Sequence, residues 1–448
     1  MYSPDSMNKN TYVFLISGVA ALGGLLFGFD IAIFSGTIPF IQPHYQLNAA
    51  QLGWTGSSLY LGCIIGTMIT GYFTDRYGRK IPLIIAALIF MLSSVFMGWA
   101  SSHTMLIFWR IIAGIGVGAA SMLSPLYIAE ISPAHIRGRM VSINQLTIVT
   151  GILLAYYSNY VLADLENNWR WMFTSGSIPA ALFFICVFFV PESPRWLLAN
   201  GDTSKAKAVL RKISGKSDMD ADVTRMNAVI QKTVKGKLTD LIKPGVAFLV
   251  LLGIAIAVFQ QISGANAVFF YAPIIFERAG MNVEDQLFQQ IMIGAINLIF
   301  TIVAMRLVDQ WGRKKMMLSG SLLMSFWLLL IGLCFALDFY EGYTLTFLIL
   351  IFIATYATTL APVTWVLISE IFPSKVRGIA ISVATTMLWI ACFGLAYGFP
   401  VLIDALDATQ TFFLFSAVCF IYFLILLKYI PETKGKTLEE FEQEIVRH

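Results

Sequence analysis

Charged side chains are scarce in this sequence. Asp, Glu, Lys and Arg make up 12% of its 448 residues, about half the quarter that a water-soluble chain carries. So little polar surface cannot cover a molecule of this size in water, which excludes a soluble catalytic fold. Histidine is rarer still, and none of the four (His44, His103, His135, His448) falls in the middle of an apolar run. The five cysteines (Cys63, Cys186, Cys334, Cys392, Cys419) sit singly inside apolar runs, without disulfide or metal-ligand spacing. No nucleophile–base or His/carboxylate set occurs inside those runs, so the reading is of a non-enzyme with no metal and no cofactor. The 10 Trp and 35 Phe lie in apolar stretches rather than among basic residues. That placement argues against a nucleic-acid partner despite the net charge of +4.

What is abundant is apolar sequence: 58% hydrophobic residues and a mean hydropathy of +0.75. The solvent such a chain calls for is membrane lipid, which about 20 apolar residues suffice to cross. Backbone groups in lipid must be paired within their own segment, so each run is expected to be a helix. Runs fall near 11–34, 52–74, 81–100, 104–128, 140–162 and 171–190, then near 246–276, 285–308, 316–337, 344–370, 378–403 and 411–430. The first is read as a retained helix, since no cleavage site for a leader follows it. With twelve spans both termini lie on one side, and that side receives all but Arg110, Arg170 and Arg278 of the 30 Lys and Arg. Such a bias marks it as cytoplasmic and the chain as a multi-pass membrane protein with both termini cytoplasmic.

The two halves repeat. Glu130-Ile-Ser-Pro-Ala-His-Ile-Arg-Gly138 returns as Glu370-Ile-Phe-Pro-Ser-Lys-Val-Arg-Gly378, and Pro191-Glu-Ser-Pro194 as Pro431-Glu-Thr-Lys434, both at an offset of 240. Asp75-Arg-Tyr-Gly-Arg-Lys80 returns as Asp309-Gln-Trp-Gly-Arg-Lys314 at an offset of 234. Six spans separate the copies, an even number, so the halves run in the same sense, which is a transporter plan. The expected organisation is a six-helix bundle over 1–190, a polar helical linker over 191–245, a second bundle over 246–430 and a cytoplasmic tail over 431–448.

These motifs, with Pro191-Glu-Ser-Pro-Arg-Trp196, Gln260-Gln-Ile-Ser-Gly-Ala-Asn266 and Ser121-Met-Leu-Ser-Pro-Leu-Tyr-Ile-Ala-Glu130, resemble the sugar porter family of the major facilitator superfamily over essentially the whole chain. The likeness is greatest to its bacterial proton-coupled symporters. The resemblance implies an all-α membrane fold of twelve helices in two parallel halves, acting as a monomer on a monosaccharide of the xylose, arabinose, glucose or galactose class. Three functions stay in play: a proton symporter, a facilitative uniporter of the same fold, and a sugar sensor without turnover. Sensors of this kind carry long tails, whereas only 17 residues follow Pro431.

Asp30 is a carboxylate inside the first apolar run, an expensive placement that requires a partner or a wet cavity. At ~1.5 Å per residue it lies ~27 Å along a span entered at Tyr12, and Arg110 lies ~9 Å below the outer face on the fourth. The two are therefore at comparable depth and could pair, either as a structural ion pair or as a proton carrier and its counter-ion. In the family, aspartate at this position accompanies proton symport and asparagine accompanies facilitative glucose transport. Gln260, Gln261 and Asn266 offer both donors and acceptors without charge, which suits sugar hydroxyls, although such amides also join helices. By resemblance these three, with Gln145 and Asn297, occupy sugar-contacting positions. Trp365 and Trp389 could stack on the apolar face of a sugar, or serve as ordinary core or interfacial aromatics. Ala361, Leu388 and Ile152 depart from residues the family favours and leave pentose and hexose both open. Pro39, Pro125, Pro273 and Pro362 are expected to bend spans one, four, seven and ten. The loop charges Asp75, Arg79, Glu130, Arg137, Glu192, Arg195, Asp309, Arg313, Glu370, Arg377 and Glu432 are either topology signals or, by resemblance, salt bridges that close the cytoplasmic side.

Overall fold

The computed structural model describes residues 9–133, 136–214, 218–232, 238–243, 246–339, 343–373 and 376–430. Among them the chain is helical, with no strand. The first six spans are α1 (Lys9–Tyr45), α2 (Ala49–Tyr77), α3 (Lys80–Gly98), α4 (His103–Ile131), α5 (Arg137–Leu162) and the pair α6 (Asn168–Ser175) and α7 (Ser177–Val187). Short helices α8 (Pro194–Ala199), α9 (Thr203–Ser214) and α10 (Asp220–Lys232) follow, with a 3₁₀ turn at Leu238–Ile242. The last six spans are α11 (Val246–Ile262) with α12 (Ala265–Arg278), α13 (Val283–Trp311), α14 (Arg313–Ala336), α15 (Thr344–Thr358) with α16 (Leu360–Glu370), α17 (Arg377–Ala405) and α18 (Asp407–Tyr429). Twelve spans among the described residues are long and apolar enough to cross a membrane, the number the sequence indicates.

Internal contacts divide the described chain into two compact units. Of the described residues, the first holds those within 9–33, 58–158 and 165–232, and the second those within 34–57, 159–164 and 238–430. Residues 34–57 and 159–164, which precede the linker in sequence, thus belong to the second unit.

Within the first unit, glycines set the helix spacing. A Cβ on Gly62 of α2 would stand 2.1 Å from the Ile111 carbonyl oxygen, and one on Gly114 of α4 2.0 Å from that of Leu59. Gly66 and Gly118 meet Ile115 and Cys63 in the same way. Each helix therefore presents a Gly-xxx-Gly face, and the two backbones approach as closely as small residues allow. Gly28 does the same for α1 against α5, where a Cβ would stand 1.9 Å from the Ile148 oxygen. Near the linker, Leu197, Leu198, Ala206, Met219 and Val223 form a small apolar core that unites α8, α9 and α10.

In the second unit α14 packs along α18, α11 along α17, and α13 along α15. Two of its spans are broken, at places the prolines only partly foretell. Span seven parts at Gly264, whose φ of 89° lies in the left-handed region that glycine tolerates. It bends again at Tyr271 (φ −132°), two residues before Pro273. Span ten parts at Thr359 (φ −117°, ψ −80°). Pro362 has no N–H to offer the Thr358 carbonyl, and the ladder fails there. Pro125, by contrast, lies inside a continuous α4, and Pro39 inside a continuous α1 that runs on to Tyr45. No break accompanies either of those prolines.

The α2–α4 contact should not tolerate a side chain. Gly62→Leu or Gly114→Leu is expected to prevent recovery of monodisperse protein by size-exclusion chromatography, since overpacking alone costs about 1–3 kcal/mol and here meets backbone. Gly71→Ala, whose Cβ would meet nothing within 4 Å, should leave the melting temperature unchanged or raise it. A Gly62→Leu protein with wild-type elution and melting would refute this account of the packing.

Candidate functional site

The first unit holds one carboxylate and one guanidinium deep among apolar helices. Asp30 of α1 is fully buried and Arg110 of α4 is 1% exposed. Arg110 Nη2 lies 4.0 Å from Asp30 Oδ2, close enough for attraction but beyond hydrogen-bond reach. Neither Asp30 oxygen accepts a hydrogen bond. The guanidinium also stands over the Phe173 ring, 6.0 Å from its centre. A carboxylate in this position is contested: burial favours its neutral form and the nearby cation its charged form. The pairing expected from depth is present, and its loose geometry leaves the aspartate oxygens open to a proton.

The second unit holds a chain of amides at the break in span seven. The left-handed turn at Gly264 brings the start of α12 back over the end of α11, so that Asn266 Nδ2 donates to Gln261 Oε1. Gln261 donates in turn to Gln260 Oε1, and Gln260 Nε2 donates to the Tyr356 hydroxyl over 2.6 Å. Each of these amides retains a second N–H beyond the one spent here, and Tyr356 retains its own proton. Gln260 and Gln261 are buried and Asn266 half-buried. Asn297 (2% exposed) and Trp389 (4%) lie on α13 and α17, both of which pack against α12. Trp365 on α16 is 42% exposed, so it is not a core residue. Gln145, half-buried on α5, belongs to the first unit. Sequence reasoning missed Tyr356, although a tyrosine inside the apolar span ten is the same kind of signal as an amide there.

The loop charges are organised within each unit. In the first, Arg79 grips Glu130 with two hydrogen bonds of 2.8 Å, the fork-to-fork geometry of a strong pair. Ser193 Oγ also donates to Glu130. Glu192 accepts the backbone N–H groups of Arg79 and Lys80 at 2.9 and 3.1 Å. Those groups are orphan donors at the start of α3, where the helix dipole welcomes an anion. Gly78 makes the contact possible, because its φ is 85° and a Cβ would strike Glu192 Oε2 at 2.3 Å. Trp196 Nε1 donates to the Asp75 carbonyl. Arg137 donates to the Ser132 carbonyl at 3.5 Å, and Arg195 is exposed. In the second unit Arg313 pairs with Glu370 at 3.3 Å, and Arg377 donates to the Phe372 carbonyl. Glu432 and the side chain of Asp309 lie outside the described residues.

Comparison with known proteins agrees with these features. The model of the family described as "Sugar (and other) transporter" matches residues 16–445. The chain is 38% identical to the D-xylose-proton symporter of Escherichia coli, over 98% of this chain and 96% of that one. It is 36% identical to the arabinose-proton symporter of Bacillus subtilis (96% and 95%) and 36% to the glucose transport protein of Synechocystis (98% and 99%). Among solved structures, the inward-open xylose transporter XylE of E. coli superposes with a TM-score of 0.86 at 36% identity, covering 97% of this chain and all of that one. XylE bound to 6-bromo-6-deoxy-D-glucose gives a TM-score of 0.80 at 36% identity, with 98% of this chain and all of that one covered. With a family match along nearly its whole length, twelve spans and polar residues buried within them, the chain belongs to the sugar transporter family.

Proposed function

We propose that this membrane protein is a proton-coupled monosaccharide symporter working by alternating access around a central site. The observation that carries the reading is the buried Asp30 facing Arg110 across 4.0 Å with no hydrogen bond to either carboxylate oxygen. A structural ion pair gains most from close contact with the carboxylate hydrogen-bonded, and Asp30 has neither. On this reading Asp30 takes a proton from the outer side, which releases Arg110. It gives the proton up inward when the arginine returns. The arabinose, xylose and glucose named for the relatives support a pentose or hexose as the substrate. We assign sugar recognition to Gln260, Gln261, Asn266, Asn297, Trp365 and Trp389, with Gln145 kept in the role the resemblance implies. Tyr356 joins the set through its bond to Gln260. The protein acts as a monomer in a bacterial cytoplasmic membrane, with both termini cytoplasmic, as the placement of Lys and Arg supports.

Asp30→Asn, which resembles the protonated state, should still bind sugar and exchange it across a membrane. It should no longer accumulate sugar against a gradient, and sugar addition should no longer alkalinise a weakly buffered external medium. A wild-type protein that shows no proton uptake with sugar is instead a uniporter, and the ion pair is then structural. For the binding set, Gln261→Ala and Trp389→Ala should weaken equilibrium binding by about 1–3 kcal/mol each, roughly 5- to 150-fold in Kd. Unchanged calorimetric affinity in both would remove them from the site. We further assign the Arg79–Glu130 and Arg313–Glu370 pairs, with Arg377, to the balance of the two access states. Glu130→Ala or Arg377→Ala should therefore slow net transport far more than it weakens binding. A variant that bound poorly yet exchanged bound sugar at the wild-type rate would contradict that role.

A further inference from the structure

In the second unit, at the membrane face poor in Lys and Arg, a cavity of about 320 Å³ opens between the ends of α1, α5 and α13. A volume of this size is at the small end of ligand sites, fit for one compact molecule. Two aromatic rings, Phe40 and Tyr160, form part of its wall, and two exposed carboxylates, Asp164 and Glu284, stand at its rim. Its floor includes Leu287 of α13. Three residues further along that helix lies Gln290, fully buried, with neither its amide nitrogen nor its amide oxygen in a hydrogen bond.

Gln290 is on the same helix face as Leu287, ~4.5 Å deeper at ~1.5 Å per residue. Helical side chains lean toward the N-terminal end of their helix, and the N-terminus of α13 is the cavity end, so the Gln290 amide leans toward the cavity floor. A buried amide with nothing bonded to either end is costly and implies a ligand or a conformation that satisfies it. A group that both donates and accepts is what an alcohol requires, whereas an ammonium headgroup would use the carboxylates and leave the amide N–H groups idle. The same face continues through Gly294 to Asn297, about 10 Å beyond Gln290, so a molecule held in the cavity lies on a line with the central amides.

We propose that this cavity is a second, outer monosaccharide-binding site, in which Phe40 and Tyr160 cover the apolar face of the sugar, Asp164 and Glu284 accept its hydroxyls, and Gln290 reads it from below. It rests on the assignment of the protein as a sugar carrier and adds a staging site on the outer side of it. Binding there is weak, because the rim is open to water.

The test is saturation-transfer NMR on the full chain purified in detergent, with D-xylose and D-glucose as probes at millimolar concentration. In Gln261→Ala, which impairs the central site, signal from sugar should persist. Adding Gln290→Leu should reduce that residual signal at least threefold, and adding Tyr160→Leu with Asp164→Asn instead should do the same. The second combination decides the matter if Gln290→Leu does not fold. Signal in wild type that vanishes in Gln261→Ala overturns the outer site and leaves the transport assignment standing. Residual signal that ignores the Tyr160 and Asp164 substitutions overturns it equally. Absence of signal in wild type with both sugars overturns the outer site and leaves the transport assignment to be decided by the proton-uptake assay.

Discussion

Inside hydrocarbon there is no water to satisfy a polar group, so every amide, hydroxyl and charge in the spans has to be answered by another part of the protein or by cargo. Most of the molecule obeys this locally. Thr55, Thr67, Thr70 and Thr74 of α2 each return their hydroxyl to a carbonyl in the preceding turn of their own helix. The residues with work to do are those for which a local answer is impossible. Asp30 and Arg110 must face each other from different helices. Gln260, Gln261 and Asn266 answer one another in series only because span seven is broken at Gly264. The break in span seven and the mutual pairing of its buried amides are thus one feature.

The two repeats have the same parts but hold them with different firmness. Arg79 and Glu130 form a doubly bonded pair, 12% and 4% exposed, reinforced by Ser193 and backed by Glu192 on the α3 backbone. Arg313 and Glu370, their counterparts, pair at a longer 3.3 Å and are 16% and 29% exposed. Exposed pairs are worth less and are screened by salt.

How far the sequence speaks depends on how local the cause is. The twelve spans are legible because a run of apolar residues long enough to cross lipid has one structural outcome. Asp30 is legible because a lone carboxylate in such a run must mean something, and its partner follows from arithmetic on helical rise. The prolines are a half-measure: a missing N–H weakens the ladder, but neighbours decide whether it parts. Pro362 coincides with a break at Thr359, which Gly320 of α14 receives at close range, while Pro125 changes nothing visible in α4. Glu192 on the N-terminus of α3 was out of reach, because more than a hundred residues separate donor and acceptor and only the folded chain brings them together. The attachment of residues 34–57 and 159–164 to the second unit is of the same kind.

The Gly-xxx-Gly face of α2 also bears on how the protein is made. Of the twelve spans α2 is the least apolar, yet it ties for the largest buried share. Its glycines and hydroxyls suit a helix neighbour better than lipid, and the neighbour they fit, α4, has not yet been synthesised when α2 leaves the ribosome. During biogenesis α2 is therefore a provisional resident of the bilayer until α4 arrives. The residues that let two helices touch in the finished carrier thus impose an order of assembly on the growing one.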